Sequence, residues 1–129
     1  SYGWSTMARP RIELKRVYEP PSDTDGVRIL VERLWPRGVS KARAAVDHWV
    51  KDVAPSPELR AWYGHKPELW DEFRERYRAE LAENTAVVDT VRALCAKQPV
   101  TFIFAAKDEA RNSAMVLREF LLSGFDARQ

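Results

Sequence analysis

Val100-Thr101-Phe102-Ile103-Phe104-Ala105-Ala106 is a nearly unbroken apolar run, bounded by Gln98-Pro99 before it and Lys107-Asp108 after it. Its length and its aromatic and β-branched residues suit a strand. The absence of alternation marks a strand covered on both faces, as the central strand of a parallel sheet is. Asp108 follows at once and is expected to cap a last helix carrying Ala110, Ala114, Leu117 and Leu121 inward and ending at Gly124.

Upstream of that run the helical signals are clear. Trp70, Phe73, Tyr77 and Leu81 fall three, four and four residues apart, one aromatic stripe on a helix opened by Pro67. Asn84 suits the end of this helix, and Thr85 is expected to cap the next, which puts Val87, Val88, Val91, Leu94 and Cys95 on one side before Gln98-Pro99 stops it. Ser56-Pro57 is an N-cap and first-turn pair for a short helix to about Tyr63. Trp70, Phe73, Tyr77, Leu94, Phe102, Phe104 and Leu117 are the expected core.

Two further strands precede the helices. Ile12 to Val17 alternates apolar and charged residues, and Val27 to Val31 is an apolar run entered through the turn-rich stretch Glu19 to Gly26. Ser40 is placed to cap a short helix through Ala45. Val46 to Val53 suits either a strand or a helix. Strands separated by helices, with the most apolar strand late, predict a small single α/β domain with a largely parallel sheet of about four strands flanked by helices. The domain is expected over residues 10–125. Residues 1–9 read as an extension, with Met7 as the true start, and 126–129 as a tail.

Composition is that of a globular protein, with 45% hydrophobic and 31% charged residues. The single cysteine excludes an internal disulfide and fits a reducing cytoplasm. No apolar run approaches the roughly 20 residues of a membrane-spanning helix. Net charge is +2, but Arg28, Arg33, Arg37, Lys41 and Arg43 face one acid, Glu32, so a local positive field is expected around that segment. Pro67 to Glu83 carries six acids against three arginines and would repel phosphates.

The loops after the buried strands hold the residues that ask for explanation. Ligands of open α/β sheets gather beyond the carboxyl ends of the strands, where this chain puts Arg33-Leu34-Trp35-Pro36-Arg37-Gly38 and Lys107 to Asn112. Arg33 and Arg37 suit bidentate binding of a carboxylate or phosphate; the plainer alternative is that they pair with Glu32, Asp52 or Asp108. Trp35 would stack on a planar ligand or close over the core. Lys107, which cannot cap a helix, and Asn112 complete the candidate ligand-binding set of Arg33, Trp35, Arg37, Lys107 and Asn112.

His65, after Trp62-Tyr63-Gly64, is a weak candidate general base, with a structural histidine as the competing reading. No metal-ligand spacing and no glycine-rich nucleotide loop occurs, so no metal or cofactor is expected. Cys95 lies in an apolar stripe, and Ser40 and Ser113 have no base beside them. The function this supports is binding of a small anionic ligand or substrate at the strand-end loops, with catalysis left open. The alternative is a nucleic-acid-binding or regulatory module, favoured by the sequence pI of about 8.8 and the Arg9, Arg11, Lys15, Arg16 cluster. The acidic helix opposes it. A homo-oligomer is compatible with the sequence.

At Val31-Glu32-Arg33-Leu34-Trp35-Pro36-Arg37-Gly38, Trp49 to Ser56, Leu59 to His65 and Phe104-Ala105-Ala106-Lys107-Asp108 the chain resembles the YeaO-like branch of domain-of-unknown-function family 488. Trp70, Phe73, Arg76-Tyr77 and Glu80-Leu81 continue the pattern, so the likeness spans Ile12 to Leu122. It implies a small α/β domain and no established activity. Members often resemble Ala-Ala-Lys-Asp-x-x-His-Asn, whereas this chain has Arg111-Asn112, which keeps a cation at position 111 and removes an imidazole. Wider relatives are similar in outline to proteins with a cysteine at the start of the last helix. Here Ala105 and Ala106 occupy that region.

Overall fold

In a computed structural model describing residues 8–129, strands β1 (Ile12–Arg16), β2 (Val27–Leu30), β3 (His48–Trp49) and β4 (Val100–Phe104) form one parallel sheet in the order β1-β4-β2-β3. Met7 and most of the expected extension lie outside the described residues. β4 pairs with β1 from Ile12 opposite Val100 to Arg16 opposite Phe104, and with β2 from Val27 opposite Val100. The apolar run is therefore the interior strand, buried at every position. Its alternate residues serve two cores.

Phe102 and Phe104 join Ile12, Ile29 and the helices in the main core, while Ile103 turns to a smaller one with Val17, Leu30, Val39 and Ala44. Helices α2 (Pro57–Tyr63), α3 (Trp70–Glu83), α4 (Thr85–Lys97) and α5 (Ser113–Ala127) supply the main core. The short α1 (Lys41–Ala44) lines the other face, capped by Ser40 as expected, and its Ala44 is fully buried. All four members of the aromatic stripe are buried. Leu94 is half-buried and packs at the margin of the core, so it is a border residue and not a central one.

Four expected element bounds or caps change. Val46 to Val53 is neither one strand nor one helix: it divides into the two-residue β3 and a 3-10 turn, Lys51–Val53. Asn84, not Thr85, is the residue before α4, so one asparagine both ends α3 and opens α4. Asp108 does not cap the last helix. That helix begins at Ser113, and Asn112 is its N-cap, its side-chain oxygen accepting from the Met115 amide at 2.8 Å. Gly124 does not end it, since α5 continues through Ala127 with Phe125 buried in the core. A glycine costs a helix only about 1 kcal/mol, which the burial of Phe125 offsets.

Arg28 is withdrawn from the expected surface field. It is buried, its Nη1 lies 2.5 Å from Asp25, and its guanidinium also donates to the carbonyls of Ala44 and Ala45. Burial opposes ionisation of Asp25, but hydrogen bonds from Lys15, the Ser22 amide and Arg28 together hold its carboxyl below the usual carboxylate range. The adjacent Gly26 has φ of 65°, and a Cβ there would stand 2.3 Å from the Pro99 carbonyl oxygen, so no other residue fits.

Candidate functional site

Because the strands are parallel, the segments following β1, β2 and β4 emerge at one end of the sheet, and hydrogen bonds tie them together there. The Ala105 amide donates to Glu32 at 2.9 Å, while Arg16 donates to the carbonyls of Ala106 and Ala105. The turn after β4 is thus held from both neighbouring strands, by a carboxylate on one side and a guanidinium on the other. Glu32 is largely buried, and its second oxygen meets Arg60 of α2 at 3.4 Å.

Helix α2 is itself positioned from α3. Ser56 caps α2 by accepting from the Leu59 amide and donates its hydroxyl to Glu80 at 2.6 Å, and the Ser56 amide reaches the same carboxylate. The Tyr77 hydroxyl donates to the Val53 carbonyl at 2.6 Å, fixing the entering chain. Gly64 and His65 then take left-handed conformations, φ 54° and 58°. For a non-glycine residue that conformation is uncommon and concentrates at functional sites.

These constraints enclose a cavity of about 250 Å³ between the sheet end, α2, the start of α3 and the start of α5. One wall is aromatic: Tyr63 stacks on Phe73 at 4.4 Å between centroids, and Trp70 on Phe73 at 5.6 Å. The upper end of the core stripe therefore doubles as cavity wall. Arg60, Arg111, Glu32 and Ser113 bring the polar groups. Asp108 closes a tight turn by accepting from the amides of Ala110 and Arg111, which hold its carboxyl below the usual range, and its second oxygen pairs with Arg111 Nε at 3.1 Å. Asn112 donates to the Asp108 carbonyl, linking that turn to α5. In the first turn of α5 the Met115 amide is taken by Asn112, whereas those of Ser113 and Ala114 have no intrahelical acceptor.

The expected site residues divide into two groups. His65 and Asn112 line this cavity, and Lys107 joins His65 and Arg111 in the cleft beside it. Arg33, Trp35 and Arg37 stand at the same end of the sheet but do not line the cavity. Arg33 donates to the carbonyls of Pro55 and Ala54 and lies 3.6 Å from Asp52. Trp35 donates to the Val39 carbonyl at 2.6 Å and meets Trp49 edge-on, covering the smaller core. Arg37 is exposed, and its carbonyl accepts from Tyr18.

Arg60 and Tyr63 lie within the Leu59 to His65 motif but carry no site role in the sequence reading. Only Arg111 carried a signal, as a cation where relatives show histidine. Burial pushes the Cys95 thiol up to about 12, so it stays protonated in the core. Among the described residues, no three histidine, cysteine, aspartate or glutamate side chains group as metal ligands would, and no helix is long and apolar enough to cross a membrane.

Residues 11–129 match the family described as the inactive DUF488-N3 subclade, DUF488-N3i. The chain belongs to the DUF488 family. Within it, the chain is 43% identical over 112 residues to the uncharacterized protein YeaO of Escherichia coli (strain K12), covering 87% of this chain and 97% of YeaO. It is 45% identical over 111 residues to the uncharacterized protein Rv3073c of Mycobacterium tuberculosis (strain ATCC 25618 / H37Rv), covering 86% of this chain and 93% of that protein. No solved structure matches it. The YeaO-like assignment and the small α/β domain it implies both stand, and these DUF488 relatives carry no stated activity.

Proposed function

We propose that this DUF488 protein binds a small anionic molecule in the cavity beyond the carboxyl ends of β2 and β4, without turning it over. The observation that carries this is the meeting of two guanidinium groups, Arg60 and Arg111, with the first turn of a 15-residue helix in one aromatic-walled space. Planar guanidinium groups and the first-turn amide of Ser113 both favour an oxyanion. At about 250 Å³, beside a cleft that shares Tyr63, His65 and Arg111, the cavity has room for a small metabolite. Lys107 at the neighbouring rim adds positive potential at the entrance. The family description as inactive supports binding over catalysis.

The test is titration of the purified protein with phosphate, sulfate and benzoate, followed by amide chemical shifts. Shifts should concentrate at Ala105, Ala106 and Arg111 to Ala114. Arg111→Ala should weaken binding by roughly tenfold or more, the effect of losing one charge-assisted contact. Arg37→Ala, outside the cavity, should leave affinity within about twofold at physiological salt. Equal losses from the two variants would mean diffuse charge attraction and no site.

A further inference from the structure

We infer that the ligand is amphoteric, a small monocarboxylate that also carries an N–H donor on a flat apolar body, of the kind found in aromatic amino acids and aminoaryl carboxylates. This rests on the anion-binding proposal and narrows it. The decisive residue is Glu32. Its side chain is 12% exposed, and it lines the same cavity as the two arginines. An ionised carboxylate in a site for anions repels a ligand that offers only negative charge. It favours one that offers a proton donor as well.

Glu32 retains capacity for such a donor. A carboxylate has about four lone-pair sites. One oxygen of Glu32 accepts from the Ala105 amide and the other has a single 3.4 Å contact with Arg60, whose side chain is 43% exposed. In the same lining, the bond to Asp108 uses Arg111 Nε, one of five guanidinium donors, so a ligand carboxylate can still be met by Arg111 together with the first-turn amide of Ser113. A multiply charged phosphate ester would set its second charge against Glu32. The stacked Tyr63 and Phe73 line the same cavity, which favours a planar apolar body.

Paired probes test this by calorimetry: phenylalanine against 3-phenylpropanoate, and 4-aminobenzoate against benzoate. At least one aminated member should bind tenfold or more tightly than its deaminated partner, about 1.4 kcal/mol. Glu32→Gln keeps an acceptor for the Ala105 amide while removing the charge, and it should erase that preference without weakening the deaminated member. Thermal unfolding confirms that the variant is folded. If the deaminated acids bind as tightly as their partners and still respond to Arg111→Ala, the amphoteric inference fails while the anion site survives. If neither member of either pair binds, and phosphate and sulfate also fail, both fall.

Discussion

Tyr77→Phe isolates the contact that joins the core to the cavity-forming segment. Tyr77 is 1% exposed, and its hydroxyl donates at 2.6 Å to the carbonyl of Val53, itself fully buried. Burial pushes the phenol well above its ordinary value, so it remains a donor throughout the accessible pH range. Removing one oxygen leaves the ring and its packing on Phe73 in place, so the loss is that of the hydrogen bond and of an acceptor stranded away from water. Such a loss costs about 1–3 kcal/mol. With a urea slope of about 1.5 kcal/mol per molar, a 2 kcal/mol loss would lower the unfolding midpoint by about 1.3 M at unchanged slope. Urea unfolding followed by tryptophan fluorescence reads this directly. A midpoint shift under about 0.3 M would mean that the Val53 carbonyl is satisfied some other way, and that the bond does not hold the segment leading to Pro55.

Two further substitutions probe parts of the same framework. Asn112→Ala removes the cap of α5 and the donor to the Asp108 carbonyl; the thermal midpoint should fall by an amount equivalent to about 1–2 kcal/mol, and Asn112→Asp, which keeps only the cap, should fall between. Asp25→Asn leaves the buried Arg28 without its counter-charge and should cost roughly 3–5 kcal/mol at neutral pH. Because the folded-state carboxyl of Asp25 is lowered below 3.8, its stabilisation is complete above that value and lost as pH falls through the lowered one. Stability measured against pH should therefore show parent and variant converging below about pH 4, and a constant difference down to pH 2 would refute the assignment.

Much of the fold was legible because it depends on local signals. The apolar run at Val100, the spacing of Trp70, Phe73, Tyr77 and Leu81, and the Ser40 and Ser56 caps each state their own environment through periodicity or backbone chemistry. Boundaries next to polar side chains were less legible. Asp108 and Asn112 are both good caps, and choosing between them depends on whether the intervening residues form a turn first.

The sequence by itself determined an α/β domain with its most apolar strand inside, and the end of the sheet at which strand-following loops would gather. Which residues meet there was a tertiary decision. Arg28 and Arg33 look alike in sequence, yet one is buried against Asp25 and the other is occupied by backbone carbonyls and Asp52. Arg60 and Arg111, 51 positions apart, share a cavity only because β4 lies beside β2 and sets the start of α5 against α2. A charge reports its sign in the sequence, but its partner is chosen by whichever group the packed core brings within a few ångströms, and that choice exists only after the chain has folded.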